Sequence, residues 1–169
     1  MKTITFNAPW SATLALMTGF CVIFCLAISV MGVVSVPASL GFAQWVTRIA
    51  PLLIIFGGAL FCVRGYTLRE RTLLIKRLLW STRLDLSNLV SATHDPEVME
   101  GSLRAFGNGG LFSFCGLYRN GKLGFYRAFA TDPKRAVILR FSNRTVVITP
   151  DLPEQFVDEV TALIPAIDK

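Results

Sequence analysis

Residues 11–36 form a run of 26 residues without a charged side chain. An α-helix needs about 20 apolar residues to cross the roughly 30 Å hydrocarbon core of a bilayer, so this run predicts a membrane span. Trp10 precedes it, where an aromatic ring favours the headgroup layer. A cleaved signal peptide is the poorer interpretation. Its apolar core is usually about 7–15 residues long and follows a positive cluster, whereas only Lys2 precedes this run.

A second, less regular apolar run follows Arg48. Residues 49–63 alone are short for a span, but extension back to Phe42 gives about 22 residues, which is long enough. Arg48 would then lie close to the helix end, from which its guanidinium can reach the interface. The pattern predicts a second span over about residues 43–63, with a re-entrant or interfacial segment as the alternative.

The charged residues predict the orientation of these spans. All 11 acidic residues of the chain lie from Glu70 onwards, whereas the stretch directly after the second run is rich in arginine and lysine. Cytoplasmic loops carry an excess of basic residues, so the positive-inside rule places the C-terminal part in the cytoplasm. Two spans return the N-terminus to the same side, and we expect a short external loop between them.

The chain therefore divides near Arg64. Residues 1–64 are expected to form a transmembrane helical hairpin, in which Gly57 and Gly58 offer a smooth surface against which the first helix can pack. Residues 65–169 have the composition of one small soluble domain. The lipid bilayer itself is thus the first expected partner.

The soluble part begins with short strand-like runs. Turns such as Asn120-Gly121 separate runs that are rich in β-branched and aromatic residues, and together they predict about seven strands. The glycine-rich stretch 101–116 is predicted to be a loop. Its Gly107–Gly110 segment resembles a phosphate cradle only weakly, because such cradles need a helix directly after them. A sharp turn whose aromatic neighbours are buried in the barrel mouth is the preferred interpretation.

The C-terminal residues change to a helical period. Asp151 followed by Glu154 is typical of a capping box, and Pro153 suits the first turn of a helix. The apolar residues that recur on one helix face are Phe156, Val157, Val160, Leu163 and Ile164. The sequence predicts a mainly-β barrel or sandwich capped by a C-terminal α-helix.

Several motifs occur in one order along this half of the chain. A Y-x-L strand at Tyr66 is followed by a glycine-rich block at 104–118, L-G-F-Y at 123–126 and A-T-D at 130–132. V-V-I-T-P-D-x-P-E-Q-F-V closes the series at 146–157. In combination these motifs resemble a membrane-anchored member of the bacterial pleckstrin-homology-like (PH) domain family. The resemblance implies a seven-stranded, strongly bent sheet capped by one helix, in a module without assigned chemistry.

The sequence offers little for catalysis. His94 is the single histidine, its neighbour Asp95 would point to the opposite face of a strand, and Cys115 is the lone cysteine of the soluble part. Nucleophilic catalysis needs a base and an orienting carboxylate together, and a zinc site needs several ligands. We therefore expect no catalytic, cofactor or metal site, and a protein that is not an enzyme.

The basic residues after the second run have two interpretations. They set the membrane orientation, or they also contact anionic lipid headgroups, at about 1 kcal/mol for each charge. The candidate contact residues, called the basic strip below, are Arg69, Arg71, Lys76, Arg77 and Arg83. Eukaryotic relatives of the family bind phosphoinositides in this region, but this chain has no lysine in its first strand, so specific inositide binding is not expected.

The expected function follows from these features. We predict a membrane-anchored, non-catalytic module that mediates protein–protein assembly or scaffolding at the cytoplasmic face of a bacterial inner membrane. Its partner would be a membrane or cytoplasmic protein, with self-association as an open alternative. Anionic-lipid sensing through the basic strip is the alternative function. Nucleic acid is not an expected partner, because the positive charges cluster beside the membrane rather than around an exposed aromatic platform.

Overall fold

The structure is a computed structural model that describes residues 3–35, 37 and 41–163. Its elements in chain order are β1 Thr3–Asn7, α1 Ala12–Val34, α2 Phe42–Leu60, β2 Gly65–Arg69, β3 Thr72–Lys76, β4 Ser81–Asp85, β5 Leu89–His94, β6 Leu103–Gly109, β7 Phe114–Asn120, β8 Gly124–Ala130, β9 Val137–Phe141, β10 Thr145–Ile148 and α3 Pro153–Thr161. The predicted fold class is confirmed, since two long apolar helices accompany a mainly-β domain that ends in a helix. The prediction of about seven strands is wrong, because the described residues form ten, among them the unpredicted β1 and β6.

Helices α1 and α2 expose apolar side chains over most of their surface. Both are long and apolar enough to cross a membrane. Only 22% of the most apolar stretch of α1, and 6% of that of α2, is buried inside the protein. Phe20 and Phe24 of α1 and Leu53 of α2 are among the exposed side chains. The core helix of a soluble protein would bury such a surface, so these helices indicate membrane association.

The two helices approach each other at the ends that are remote from β2. A Cβ atom on Gly32 would lie 2.8 Å from Oγ1 of Thr47, so the small residue is what permits this approach. Arg48 donates from Nε to the carbonyl oxygen of Gly32 over 3.0 Å. The prediction that Gly57 and Gly58 receive α1 is wrong, because a Cβ atom on Gly57 would meet nothing within 4 Å and the atoms nearest to one on Gly58 belong to Leu111 and Phe112.

The β domain consists of two sheets with a shared core. A four-stranded antiparallel sheet has the order β1-β2-β3-β4, and a six-stranded sheet has the order β5-β9-β10-β8-β7-β6. Strands β8 and β10 run parallel, and the other neighbours in the six-stranded sheet are antiparallel. The core between the sheets and α3 includes the buried side chains of Tyr66, Leu73, Ile75, Leu139, Ile148 and Phe156.

Strand β1 is absent from the sequence-based prediction. Residues 3–7 fall in the segment assigned to the helical hairpin, but they pair antiparallel with β2 along its whole length. Phe6 is 1% exposed and packs edge-to-face on Phe156, with ring centroids 5.1 Å apart. The N-terminal strand therefore lies in the β domain. A five-residue strand whose partner is distant in the chain carries too little local pattern to be recognised.

The glycine-rich stretch contains strand β6, so its prediction as a loop is wrong. Strand β6 pairs antiparallel with β7, with a bulge between Arg104 and Phe106. Gly107 and Gly116 are partners in this ladder. A Cβ atom on Gly107 would lie 2.4 Å from the carbonyl oxygen of Cys115, and its φ of 107° is strained for any other residue. Glycine is thus needed inside a strand pair, where composition alone suggests a loop.

Helix α3 begins at Pro153, as the sequence predicts, but without the predicted capping box. Leu152 is the N-cap residue, and its side chain makes no capping hydrogen bond. The Asp151 carboxylate instead accepts hydrogen bonds from the backbone nitrogen and Nδ2 of Asn7, over 3.1 and 2.9 Å. Asp151 therefore holds β1 rather than α3. Ile164, the last residue of the predicted apolar face, lies outside the described residues.

Candidate functional site

Three of the motif segments meet in a buried hydrogen-bond network beside α1. The Tyr66 hydroxyl donates to the carbonyl oxygen of Phe129 over 2.5 Å and accepts from the backbone nitrogen of Thr149 over 3.1 Å. The Thr149 hydroxyl accepts from the backbone nitrogen of Thr131 over 2.9 Å. The carbonyl oxygen of Thr131 accepts from the backbone nitrogen of Ser11, the N-cap of α1. Burial raises the pKa of Tyr66 to about 12, so its hydroxyl keeps the proton that it donates.

Residues 110–113, called the wedge loop below, connect the β domain to both helices. The Thr18 hydroxyl of α1 donates to the first carbonyl oxygen of the loop over 3.2 Å and accepts from the backbone nitrogen of Phe112 over 3.0 Å. The Ser113 hydroxyl donates to the carbonyl oxygen of Phe61, just after α2, over 2.9 Å. The loop therefore lies between the domain-facing ends of α1 and α2.

The side chains of the wedge loop pack on the helices. A Cβ atom on Gly58 would lie 2.5 Å from Cδ2 of Leu111, whereas one on Gly57 would meet nothing within 4 Å. The ring of Phe112 packs edge-to-face on Trp10, with centroids 6.0 Å apart. Its φ of 65° is rare for a bulky residue, so the surrounding contacts must hold it. The aromatic ring thus packs at the start of α1, rather than in the barrel mouth.

Arg77 connects the end of α2 with both sheets. Its guanidinium lies over the rings of Phe61, Trp80 and Phe129, between 5.3 and 5.8 Å from their centroids. It also donates to Sγ of Cys115 over 3.3 Å. Cation–π contacts contribute about 0.5–2 kcal/mol each, depending on burial. Arg77 therefore has a structural role that its basic character alone does not reveal.

A groove of about 1180 Å³ opens beside these contacts. It is lined by α2, the wedge loop, residues of β4 and the β3–β4 turn, strands β6, β7 and β8, and the β9–β10 turn. The six-stranded sheet is the wider of the two, so part of its inner face has no strand of the other sheet opposite it. Ordinary small-molecule pockets measure about 300–1,000 Å³, so this groove has room for a larger ligand.

Aromatic and aliphatic side chains form the floor of the groove. Phe106 of β6 and Leu117 of β7 are register partners, and Phe125 lies on β8. Phe106 is 80% exposed and Phe125 is 59% exposed, which is unusual for side chains on the inner face of a sheet. The apolar lining continues to the exposed side chains of Leu53 and Ile54 on α2.

The charge that lines the groove is positive. None of its described lining residues is acidic, and four are arginines: Arg77, Arg104, Arg127 and Arg144. Arg104 donates to the carbonyl oxygen of Gly107 over 3.3 Å. The guanidinium of Arg127 donates no hydrogen bond to any residue that the structure describes. The groove therefore joins an apolar floor to a cation whose donors are unused.

Asp85 partly balances the charge at one end of the groove. Its carboxylate accepts from the backbone nitrogen and the hydroxyl of Ser87, over 2.9 and 2.7 Å. These hydrogen bonds lower the pKa of Asp85, and Arg144 and Arg71 add smaller contributions in the same direction. Arg144 thus has a carboxylate near it, outside the groove lining.

The β2–β3 hairpin divides the basic strip between two places. Lys76 pairs with Gly65, directly after α2, so it lies at the α2 end of the sheet together with Arg77. Arg69 lies at the other end of the hairpin, roughly 14 Å along the strand, with Arg71 in the turn. Arg83 lies midway along β4. The structure brings Lys76 and Arg77 together, leaves Arg69 and Arg71 at the far end of the hairpin, and places Arg83 between the two ends as a diagonal neighbour of Lys76.

The residues considered for catalysis have structural contacts. Nδ1 of His94 lies 3.0 Å from Oε1 of Glu154, which connects β5 to α3. The Cys115 thiol accepts from Arg77. Among the described residues, no group of three or more histidine, cysteine and acidic side chains could hold a metal ion. The arrangement can bind and position other molecules through the groove.

Sequence reasoning missed the groove because its parts come from distant segments. One local signal was available: Phe125, Arg127 and Phe129 alternate along one predicted strand and must share a face. A cation between two aromatic residues on an inward face is unusual for a core strand. The side of the sheet that stays uncovered depends on the tertiary arrangement, which this pattern does not contain.

Comparison with known proteins agrees with the motifs. The family described as bacterial PH domain matches residues 64–164. No curated protein and no solved structure matches the chain. The resemblance drawn from the motifs is thereby confirmed. The match begins after α2, so β1 and the two apolar helices lie outside it.

Proposed function

The chain belongs to the bacterial PH domain family, and on that premise we propose a membrane-anchored, non-catalytic module that mediates protein assembly at the cytoplasmic face of a bacterial inner membrane. PH domains are generally binding modules. The two exposed apolar helices, Ala12–Val34 and Phe42–Leu60, supply the anchor. Strand β1 and the residues from Gly65 onwards form the domain.

The position of β1 supports a two-span hairpin. Strand β1 precedes α1 and pairs with β2, which follows α2, so both ends of the hairpin meet in one domain. Removal of the leader would take Phe6, which is almost fully buried, out of the core. The arginines and lysines after α2 support a cytoplasmic location for this side. A reporter that is active only in the cytoplasm, fused after Lys169, should be active; periplasmic activity would contradict the orientation.

The observation that carries the assembly proposal is the free edge of β6. This strand ends the six-stranded sheet, and its residues 103–107 are exposed. Leu103 is 76% exposed on the same strand. An edge with open backbone groups and apolar side chains can receive a strand from another chain. The bulge beside Arg104 restricts such pairing to a strand that fits it.

The test compares two edges of the same sheet. Leu103→Lys places a charge on β6, and Val90→Lys places one on the exposed face of β5 at the opposite edge. The full-length protein is extracted in mild detergent, and complexes are sized by native electrophoresis. We expect a complex larger than the monomer that Leu103→Lys reduces and Val90→Lys leaves unchanged. A monomer in every case, or equal loss in both variants, would reject assembly through β6.

Anionic-lipid contact through the part of the basic strip that lies at the α2 end is the second candidate function. The observation that favours it is the position of exposed Lys76 beside the end of α2, next to the expected headgroup layer. Hydrogen exchange in nanodiscs with and without phosphatidylglycerol tests it. Protection near Lys76 should require the anionic lipid and vanish in Lys76→Glu, while Arg69→Glu at the far end serves as the matched control. Equal exchange in both lipid mixtures would reject this function.

A further inference from the structure

We propose that the groove binds one anionic phospholipid drawn from the bilayer, with its headgroup at Arg127 and Arg144 and its acyl chains extending back towards α2. The groove borders the assembly edge, because Arg104 and Phe106 of β6 line it. It uses none of the basic strip except Arg77, which already has partners within the protein. The proposal does not depend on the assembly function.

The apolar floor accounts for the acyl chains. Exposed Phe106, Leu117 and Phe125 form a continuous surface on three neighbouring strands. Covering apolar surface contributes about 25 cal/mol for each Å², so this exposed surface favours an apolar occupant. The groove volume of about 1180 Å³ suits a chain-bearing amphiphile better than a small metabolite.

The arginines account for the headgroup. Arg127 has unused donors, and no described lining residue supplies a carboxylate to pair with it. Arginine binds phosphate oxygens through two parallel hydrogen bonds, which makes a phosphate the natural ligand of such a site. Arg144, from the β9–β10 turn, adds a second cation even though Asp85 partly balances it.

Continuity with α2 supplies a path from the bilayer. The groove lining includes Leu53 and Ile54, which lie about one turn deeper along α2 than Gly58. Leu53 and Ile54 are also exposed on the surface assigned to lipid. An acyl chain can therefore pass from the lipid-facing side of α2 into the groove without crossing water.

An apolar peptide fits these features less well. A peptide would bring backbone amides that need partners. Away from the outer edge of β6, the floor of the groove is a sheet face whose backbone groups are already paired between β6, β7 and β8. It would also leave Arg127 without an anion. We therefore assign the groove to a lipid, with a peptide as an outcome that the test can reveal.

The experiment measures lipid binding to the delipidated full-length protein in detergent by native mass spectrometry. Dioleoylphosphatidylglycerol is the anionic probe, and dioleoylphosphatidylcholine is the zwitterionic control with the same chains. We expect a single phosphatidylglycerol to bind first, about tenfold or more tighter than phosphatidylcholine. The double variant Arg127→Gln/Arg144→Gln should lose that preference. Arg140→Gln, an exposed arginine on β9 outside the groove lining, should keep it.

A second variant tests the chains separately from the headgroup. Gly57 lines the groove, and a Cβ atom on it meets nothing within 4 Å, so Gly57→Phe introduces a ring at the α2 end of the groove. It should weaken phosphatidylglycerol binding, while soluble glycerol 3-phosphate should fail to compete at equal concentration. Equal binding of the two lipids, an unaffected double variant, full competition by glycerol 3-phosphate, or a copurified peptide crosslinked in the groove would each overturn the proposal.

Discussion

Tyr66 places a single hydroxyl at the meeting point of β2, β8 and β10. It donates to the carbonyl oxygen of Phe129 and accepts from the backbone nitrogen of Thr149, with no exposure to solvent. Removing one partner from a buried pair leaves the other unsatisfied, which costs about 1–3 kcal/mol. Tyr66 therefore stabilises the same region that holds the start of α1.

We predict that Tyr66→Phe lowers the free energy of unfolding and makes it less sensitive to alkaline pH. Folding raises the pKa of Tyr66 from 10.0 to about 12. Between these values the unfolded chain has lost the proton and the folded chain keeps it, so stability falls as pH rises. In the wild type, Tyr66 alone contributes a decrease in the free energy of unfolding on the order of 2–3 kcal/mol over this pH range.

The measurement is denaturant unfolding of the detergent-solubilised protein at pH 9, 10, 11 and 12, followed by near-ultraviolet circular dichroism. Burial also raises the pKa of Tyr118 to about 12, so part of the pH dependence should persist in the variant. Tyr126→Phe, whose hydroxyl donates to the Ser102 hydroxyl at a partly buried site, is the control with the smaller expected effect. Identical pH slopes for Tyr66→Phe and the wild type would contradict the assigned role.

Two neighbouring glycines allow a matched test of the wedge loop. Gly58→Ala puts a methyl group 2.5 Å from Leu111, whereas Gly57→Ala meets nothing within 4 Å. We predict that Gly58→Ala increases hydrogen exchange of residues 110–113, because Leu111 must move away from α2. Gly57→Ala should leave that exchange unchanged. The same result for both variants would show that the loop does not pack on α2 as described.

At the scale of elements, the sequence predicts those strands, turns and helices whose residues follow a regular local pattern. The strands from Tyr66 onwards, the hairpin at Asn120-Gly121 and the start of α3 at Pro153 were predictable from alternation and turn residues. Strand β6 was not predictable from composition. Its glycines are needed because the backbones of β6 and β7 approach closely, and this approach depends on which residues pair between the two strands. The partner strand follows closely in the chain, but the local pattern does not show which glycines face each other across the two strands.

The contribution of Asp151 to keeping β1 paired in its sheet can be tested by substitution. Asp151→Ala removes both hydrogen bonds from its carboxylate to Asn7, so β1 should open more often from the edge of its sheet. We predict faster hydrogen exchange in residues 3–7, with little change in β7 and β8. Asp158→Ala, on the exposed side of α3, is the matched control. Unchanged exchange in β1 would show that β2 pairing alone holds the strand.

At the scale of the whole molecule, the division between an apolar leader and a charged remainder was predictable, but their connection was not. The contacts that join the helices to the domain include the β1–β2 pairing, the wedge loop at Thr18, and Arg77 at Phe61. Each joins residues that are far apart in the chain. The groove arises from the same arrangement, since α2 forms one of its walls.

The central claim is that the domain and both ends of the hairpin form one unit on one side of the membrane. Thr5 and Thr67 face each other across β1 and β2, with hydroxyl oxygens 3.4 Å apart. We predict that Thr5→Cys/Thr67→Cys forms a disulfide under mild oxidation in intact membranes, with the linked peptides identified by mass spectrometry. The out-of-register pair Thr5→Cys/Arg69→Cys should link far less. No disulfide in the first pair, or equal yields in both, would contradict the account.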